Sequence, residues 1–256
     1  MPNGIIRTIV LPDIHTPHEH KPSIEAILQF IRYWKPNRLV QLGDFCDFNS
    51  LGSFDLHNVD EYISLDDELK AANDLLDRLD KALPRGCEKY MVGGNHEDRY
   101  HKVKAKFLCP PDRITKALLS WQQSWAHEYN LTERGWKWVE YGGHFHLDKI
   151  VYTHGWACGP SACADMVRRF PGRNVMFGHV HSHMTAGFMD ERGLPIEIES
   201  IGTLSNFDLS YLRGKPPYNW ARGFSYVYTM PDGTFTKSFV HIVDGRFVIN
   251  GKLFGG

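Results

Sequence analysis

The chain has little of what marks several protein classes. No apolar run approaches the roughly 18 residues of a membrane-spanning helix, so none is expected in these 256 residues. The stretch from Met1 to Leu11 lacks a basic segment followed by a long apolar core, which argues against a secretory signal. Cysteine is sparse and odd in number: Cys46, Cys87, Cys109, Cys158 and Cys163 are scattered, without paired zinc spacing. The expectation is reduced thiols in a cytoplasmic protein, not a disulfide framework. An excess of one charge sign is also missing. A formal net charge of −1 gives no global pull toward nucleic acid or a membrane. Internal repeats and low-complexity linkers do not occur, and the length suits one sizeable α/β domain with a full core.

What the sequence does contain is a series of five short apolar runs, each ending in residues able to hold a metal ion. The endings are Asp13-x-His15, Gly43-Asp44, Gly94-Asn95-His96-Glu97, His154-Gly155 and Gly178-His179-x-His181. The runs themselves (5–11, 38–42, 90–92, 150–153 and 174–177) read as buried strands bounded by Gly or Pro. Between the first two, Ile24, Ile27, Leu28 and Ile31 keep a helical spacing over 22–34, giving a βαβ unit with parallel neighbouring strands. Ligands in open α/β sheets gather beyond the carboxyl ends of strands, so these endings can converge on one point. Asp13 and His15, two apart, would face one side of an extended backbone. Mixed Asp, Asn and His donors suit a borderline cation such as manganese, iron or zinc better than magnesium or calcium.

In this order the five motifs resemble those of the calcineurin-like metallophosphoesterase superfamily, over about residues 8–205. The resemblance implies an α/β fold, a two-sheet β-sandwich flanked by helices, with a dinuclear metal centre at the strand ends. It implies that Asp13, His15 and His181 hold one metal, that Asn95, His154 and His179 hold the other, and that Asp44 bridges them. His96 would be the catalytic histidine that is not a ligand, and Asp47 would pair with it. The implied cofactor is two divalent ions, with manganese expected and iron, zinc, cobalt or nickel as alternatives. Two cations sharing a water lower its pKa and clamp phosphate oxygens, while a histidine with near-neutral pKa can protonate the leaving oxygen. Two departures count against the protein Ser/Thr phosphatase branch. Phe48 stands where that branch carries a phosphate-binding arginine, and His181 is characteristic of phosphodiesterase-like and nuclease-like members. The purple acid phosphatase branch, with its tyrosinate ligand, is not clearly matched.

The expected activity is therefore hydrolysis of a phosphoester, with a phosphodiester or nucleotide ranked above a phosphomonoester or phosphoprotein. A nuclease and a non-catalytic binding scaffold of the same fold stay open as alternatives. Six Lys or Arg against one acid, Asp112, lie between Arg99 and Lys116 and could bind flanking phosphates of a nucleotide or nucleic acid. A solvated helix face is the competing account. Arg168, Arg169 and Arg173 form a second basic group after Pro160-Ser161, which could open a helix with Pro in its first turn. Trp156, Tyr218, Trp220 and Arg222 could stack on a base or simply pack. Arg99, Trp156 and Arg168 are the individual substrate-binding candidates.

One domain spanning 1–256 is expected, with a helical insertion at about 98–141 and a strand-rich part at about 184–250. The acidic segment from Asp55 to Asp80 keeps Leu65, Leu69, Ala72, Leu75, Leu76 and Leu79 in helical period, a covering helix with a solvated charged face. In the insertion, Ala117, Leu118, Trp121, Trp125 and Tyr129 suggest a helix whose aromatic stripe packs on the core. A strand over 136–141 is expected to turn at Gly142-Gly143 into a second strand over 144–152, on which His144 and His146 face outward or hydrogen-bond rather than ligate. Strands expected over 184–189, 196–201, 224–230, 235–242 and 247–249 would build the second sheet.

Overall fold

The computed structural model describes residues 4–52, 63–107, 124–208 and 218–256, with the backbone alone for 104–107. In chain order the elements are β1 (Ile6–Leu11), α1 (Lys21–Trp34), β2 (Arg38–Gln41), a 3-10 turn (Asn49–Leu51), α2 (Leu65–Ala82), β3 (Glu88–Val92) and α3 (Glu97–Phe107). There follow a single turn α4 (Trp125–Glu128), β4 (Trp136–Val139), β5 (His144–Leu147), β6 (Ile150–Thr153), α5 (Ala162–Arg169) and β7 (Asn174–Phe177). The chain ends with β8 (His183–Met189), β9 (Pro195–Ile201), β10 (Gly223–Thr229), β11 (Phe235–His241), β12 (Phe247–Ile249) and β13 (Lys252–Phe254).

Two main sheets result, one of six strands in the order β11-β10-β1-β2-β3-β4 and one of five in the order β5-β6-β7-β9-β8. Strands β1 to β4 run parallel, as do β6, β7 and β9. The two-residue period of a strand sorts the apolar side chains into layers. Val10, Val40 and Tyr90 of the first sheet meet Ile150, Tyr152 and Met176 of the second in one cluster. Ile9, Leu11, Leu39 and Met91 point the other way, onto α1 and α2. On the outer face of the second sheet, Val151, Val175 and Phe177 pack on Ala162, Cys163 and Met166 of α5. The architecture is helix, sheet, sheet, helix, as the resemblance implies. Among the described residues, no helix is long and apolar enough to cross a membrane.

Helix ends follow local chemistry. Ser64 caps α2 by accepting from Asp67 N at 3.1 Å, and Asp66, Asp67 and Glu68 lie in the first turn, where the helix dipole favours acids. Helix α1 ends at Lys35, whose left-handed φ of 50° lets its N–H bond to Ile31 O.

Several expectations are corrected. The segments around Gly142-Gly143 do not form a hairpin. Strand β4 pairs with β3 in the first sheet, whereas β5 pairs with β6 in the second, so this connection passes between sheets. The hairpin turn lies at Asp148-Lys149 instead, dividing the strand expected over 144–152. The C-terminal strands do not all build the second sheet: β8 and β9 do, β10 and β11 extend the first, and β12 pairs with β13 in a separate two-stranded sheet. That last hairpin covers α1, with Phe247 and Phe254 against Phe30. Pro160 precedes the α5 cap residue Ser161 and does not occupy the first turn. The acidic helix does not solvate all its carboxylates, for Glu68 is buried. Ala117, Leu118 and Trp121 lie outside the described residues, as do Asp55, Asp60 and Glu61. Trp125 and Tyr129 are buried in the core as expected. His144 and His146 are exposed on β5.

Candidate metal centre

Each of the five motifs follows the carboxyl end of its strand: Asp13 and His15 after β1, Asp44 after β2, Asn95 and His96 after β3, His154 after β6, His179 and His181 after β7. Their side chains meet at the mouth of the inter-sheet cluster. Potential ligand atoms of Asp13, His15, Asp44 and His181 all lie within 4.8 Å of one another, and so do those of Asp44, His154 and His179. Asn95 joins the second group, with Oδ1 at 2.9 Å from His154 Nε2 and 2.8 Å from His179 Nδ1. Asp44 is common to both groups, and each group draws donors from both sheets.

Backbone geometry at the site differs from the extended Asp13-x-His15 expected. His15, Asp44, His179 and His181 are all left-handed, with φ of 57°, 49°, 70° and 57°. Such conformations are rare for residues with a Cβ and persist where surrounding contacts fix them. Here the fixing contacts are visible. The amides of Ile14 and His15 both donate to Asp44 O at 2.9 Å, and His179 N donates to the Asp13 carboxylate at 3.0 Å. Two glycines are needed for space alone. A Cβ on Gly94 would overlap the Asp44 carboxylate, and one on Gly178 would overlap that of Asp13.

Outer partners set which imidazole nitrogen faces inward. His15 Nδ1 is 2.8 Å from Asp47 Oδ1, leaving Nε2 toward His181 Nε2 at 3.1 Å. His154 Nδ1 donates to Leu42 O at 2.8 Å, leaving Nε2 toward Asp44 Oδ2 at 3.4 Å. His179 Nε2 lies 3.2 Å from the Sγ of Cys158, leaving Nδ1 inward. His96 stands beside both groups and forms a third set of close donor atoms with His15 and Asp47, its Nδ1 at 3.2 Å from Asp47 Oδ1 and its Nε2 at 3.8 Å from Asp44 Oδ2.

The electrostatics fit a cation-binding centre. Burial drives Asp13, Asp44 and Asp47 toward the neutral acid, but neighbouring histidines outweigh it and hold all three below the usual carboxylate range. Burial also lowers His15 and His179, helped by the charge of His96 and His154 respectively, and so favours the neutral ring that ligation requires. For His96 and His154 the balance is opposite. Burial lowers both, yet the Asp44 carboxylate and the other nearby acids raise each to about 9. The oxygen and imidazole donor set is one that two divalent ions could take over.

The substrate-binding candidates separate. Arg99 reaches the centre, with Nη1 donating to Asp47 O at 2.9 Å and Nη2 at 3.2 Å from His96 Nε2. Trp156 packs beneath Arg169, whose Cζ is 4.4 Å from the ring, and against Phe170. Arg168 is exposed and pairs with Asp165 of its own helix. Trp220 sets its ring 4.3 Å from that of His181, Arg222 lies over Phe207, and Tyr218 is 93% exposed. Sequence reasoning passed over Glu97 and Glu68, buried carboxylates beneath the Asp44 loop. The signal for Glu97 was its place inside the third motif, an acid between a glycine-rich turn and a helix start. Of the basic cluster, Arg113 and Lys116 and the side chains of Lys104 and Lys106 lie outside the described residues.

A family model described as calcineurin-like phosphoesterase matches residues 6–183. The chain is 26% identical over 269 residues to the Gene 54 protein of Mycobacterium phage D29, covering 96% of this chain and 98% of that one. Identity to the Gene 54 protein of Mycobacterium phage L5 is also 26%, over 264 residues. Among solved structures, a dimetal phosphatase from Danio rerio aligns with a TM-score of 0.46 at 11% identity, covering 91% of this chain and 95% of that one. Vps29 from Chaetomium thermophilum aligns with a TM-score of 0.44 at 9% identity, covering 93% of each. With the family model spanning all five motifs, the chain belongs to the calcineurin-like phosphoesterase family.

Proposed function

We propose that this protein is a two-metal phosphoester hydrolase acting on a phosphodiester or a nucleotide. The observation that carries the reading is the sharing of Asp44 between two donor groups, with His96 beside them as a further imidazole. Asp13, His15, Asp44 and His181 would hold one cation; Asp44, Asn95, His154 and His179 would hold the other, and manganese suits the donor set. When bound, such a pair supplies positive charge to phosphoryl oxygens and acidifies water at neutral pH.

The chain's own residues do the rest. His96 stands where it could give a proton to the leaving oxygen, and the Asp44 and Asp47 carboxylates raise its pKa against burial. Asp47 holds the opposite nitrogen and favours the protonated ring. Arg99, anchored by one guanidinium nitrogen on Asp47 O, keeps a second nitrogen beside His96 where a phosphate oxygen could dock. The presence of His181 in the first group supports a diester over a phosphoprotein. A binding scaffold without chemistry is the weaker reading, because none of the seven donors or His96 is missing from the cluster. Purified protein with manganese should turn over bis-p-nitrophenyl phosphate or p-nitrophenyl phosphate. Absence of turnover of both with manganese, iron, zinc, cobalt and nickel would sink the proposal.

A further inference from the structure

The loop after β2 presents its two acidic side chains to the centre and turns its amides away from it. Asp44 and Phe48, neither of them glycine, adopt left-handed φ of 49° and 45°. The amides so displaced are buried and need acceptors. Two side chains provide them. Glu97 Oε2 accepts Asp44 N at 2.9 Å and Gly94 N at 2.8 Å. Its Oε1 accepts Phe45 N at 3.0 Å, Cys46 N at 3.2 Å and the Tyr129 hydroxyl at 3.1 Å. Farther along, Glu68 Oε1 accepts Asn49 N at 2.6 Å, while Oε2 accepts Ser50 N at 3.3 Å and the Ser50 hydroxyl. Both residues are buried, with exposures of 1% and 0%.

These carboxylates differ from the acids of the centre in what they bind. Their partners are backbone amides and hydroxyls, not imidazoles, and neither belongs to a donor group. Glu97 ties the Asp44 turn to the Gly94 turn, so that the shared donor Asp44 and the neighbouring Asn95 keep one spacing. Glu68 holds the residues just past Asp47, which contacts both His15 and His96. An amide in place of either carboxylate would turn an NH2 toward N–H donors, so glutamine cannot accept all of these bonds.

We propose that Glu97 and Glu68 are positioning residues for the metal centre, which clamp the loop so that Asp44 reaches both cations and Asp47 reaches its two histidines. The proposal rests on the two-metal reading. Its test is calorimetric titration of manganese into the wild-type protein, Glu97→Gln and Glu68→Gln, with amide hydrogen exchange and far-UV circular dichroism of each in chelator. Glu97→Gln should bind manganese about 10–100-fold more weakly, and Glu68→Gln less tightly than wild type by a smaller factor. Exchange should accelerate at 44–46 and 94 in the first and at 49–50 in the second, with helix and strand content unchanged. Affinities within about threefold of wild type, with protection intact, would overturn the proposal. Should Glu97→Gln fail to fold, Glu68→Gln decides on the same readings. Wild-type protein that takes up no manganese would defeat the two-metal reading, and the exchange comparison would then decide the clamp alone.

Discussion

His96 and Phe48 show how much one side chain can settle. His96 touches the centre through Asp44 and Asp47, yet the two donor groups that share Asp44 are complete without it. His96→Asn should therefore keep the full metal content by elemental analysis while kcat falls by about 10²–10⁴, the usual contribution of a positioned acid. Metal loss in that variant would mean that the role assigned to His96 is wrong. Phe48 was legible only as a departure from an arginine. In the fold it points inward, fully buried and stacked on Tyr129 with ring centroids 6.1 Å apart. Phe48→Ala should destabilise the protein by about 3–5 kcal/mol in chemical denaturation, the range for emptying a buried aromatic site. A loss below about 1 kcal/mol would show that the ring is not the packing element described.

At the scale of elements, the strand ends were readable because glycine, proline and a change from apolar to polar residues all fall at the same places. The layers were readable for the same reason, since alternation along β1, β6 and β7 assigns each side chain to a face. Partner choice was not. Nothing local to Gly142-Gly143 states that β4 and β5 belong to different sheets, because pairing depends on residues far away in sequence. The β12–β13 hairpin makes the same point. Its apolar residues predict a strand but not the helix it covers. Phe254, 2% exposed, meets both Phe30 and Phe247. Phe254→Ala should cost about 3–5 kcal/mol, with a fall in thermal midpoint and no change in metal content. Loss of metal at full folding would link the hairpin to the centre in a way its contacts do not.

For the whole molecule, the convergence of the candidate donors was more legible than what supports them. The seven donors and His96 are polar residues in apolar surroundings, an exception that a sequence displays openly. Glu97 and Glu68 act on backbone amides, whose direction no sequence pattern records. Binding energy also appears at this scale. A cation held by the folded chain alone stabilises it by about 2.7 kcal/mol at a hundredfold excess over Kd. For a chain of this size that corresponds to a thermal midpoint on the order of 5–10 °C lower in chelator than in manganese. An unchanged midpoint in differential scanning fluorimetry would count against tight binding.

At Gly142-Gly143 the chain crosses from one sheet to the other, and donors of the centre stand on both. Because each cation would be grasped from both leaves of the sandwich, neither would have its full set of donors until the leaves had closed on one another. Full occupancy of both positions would then report completed assembly, and a half-formed chain would lack the hands to run the chemistry out of place.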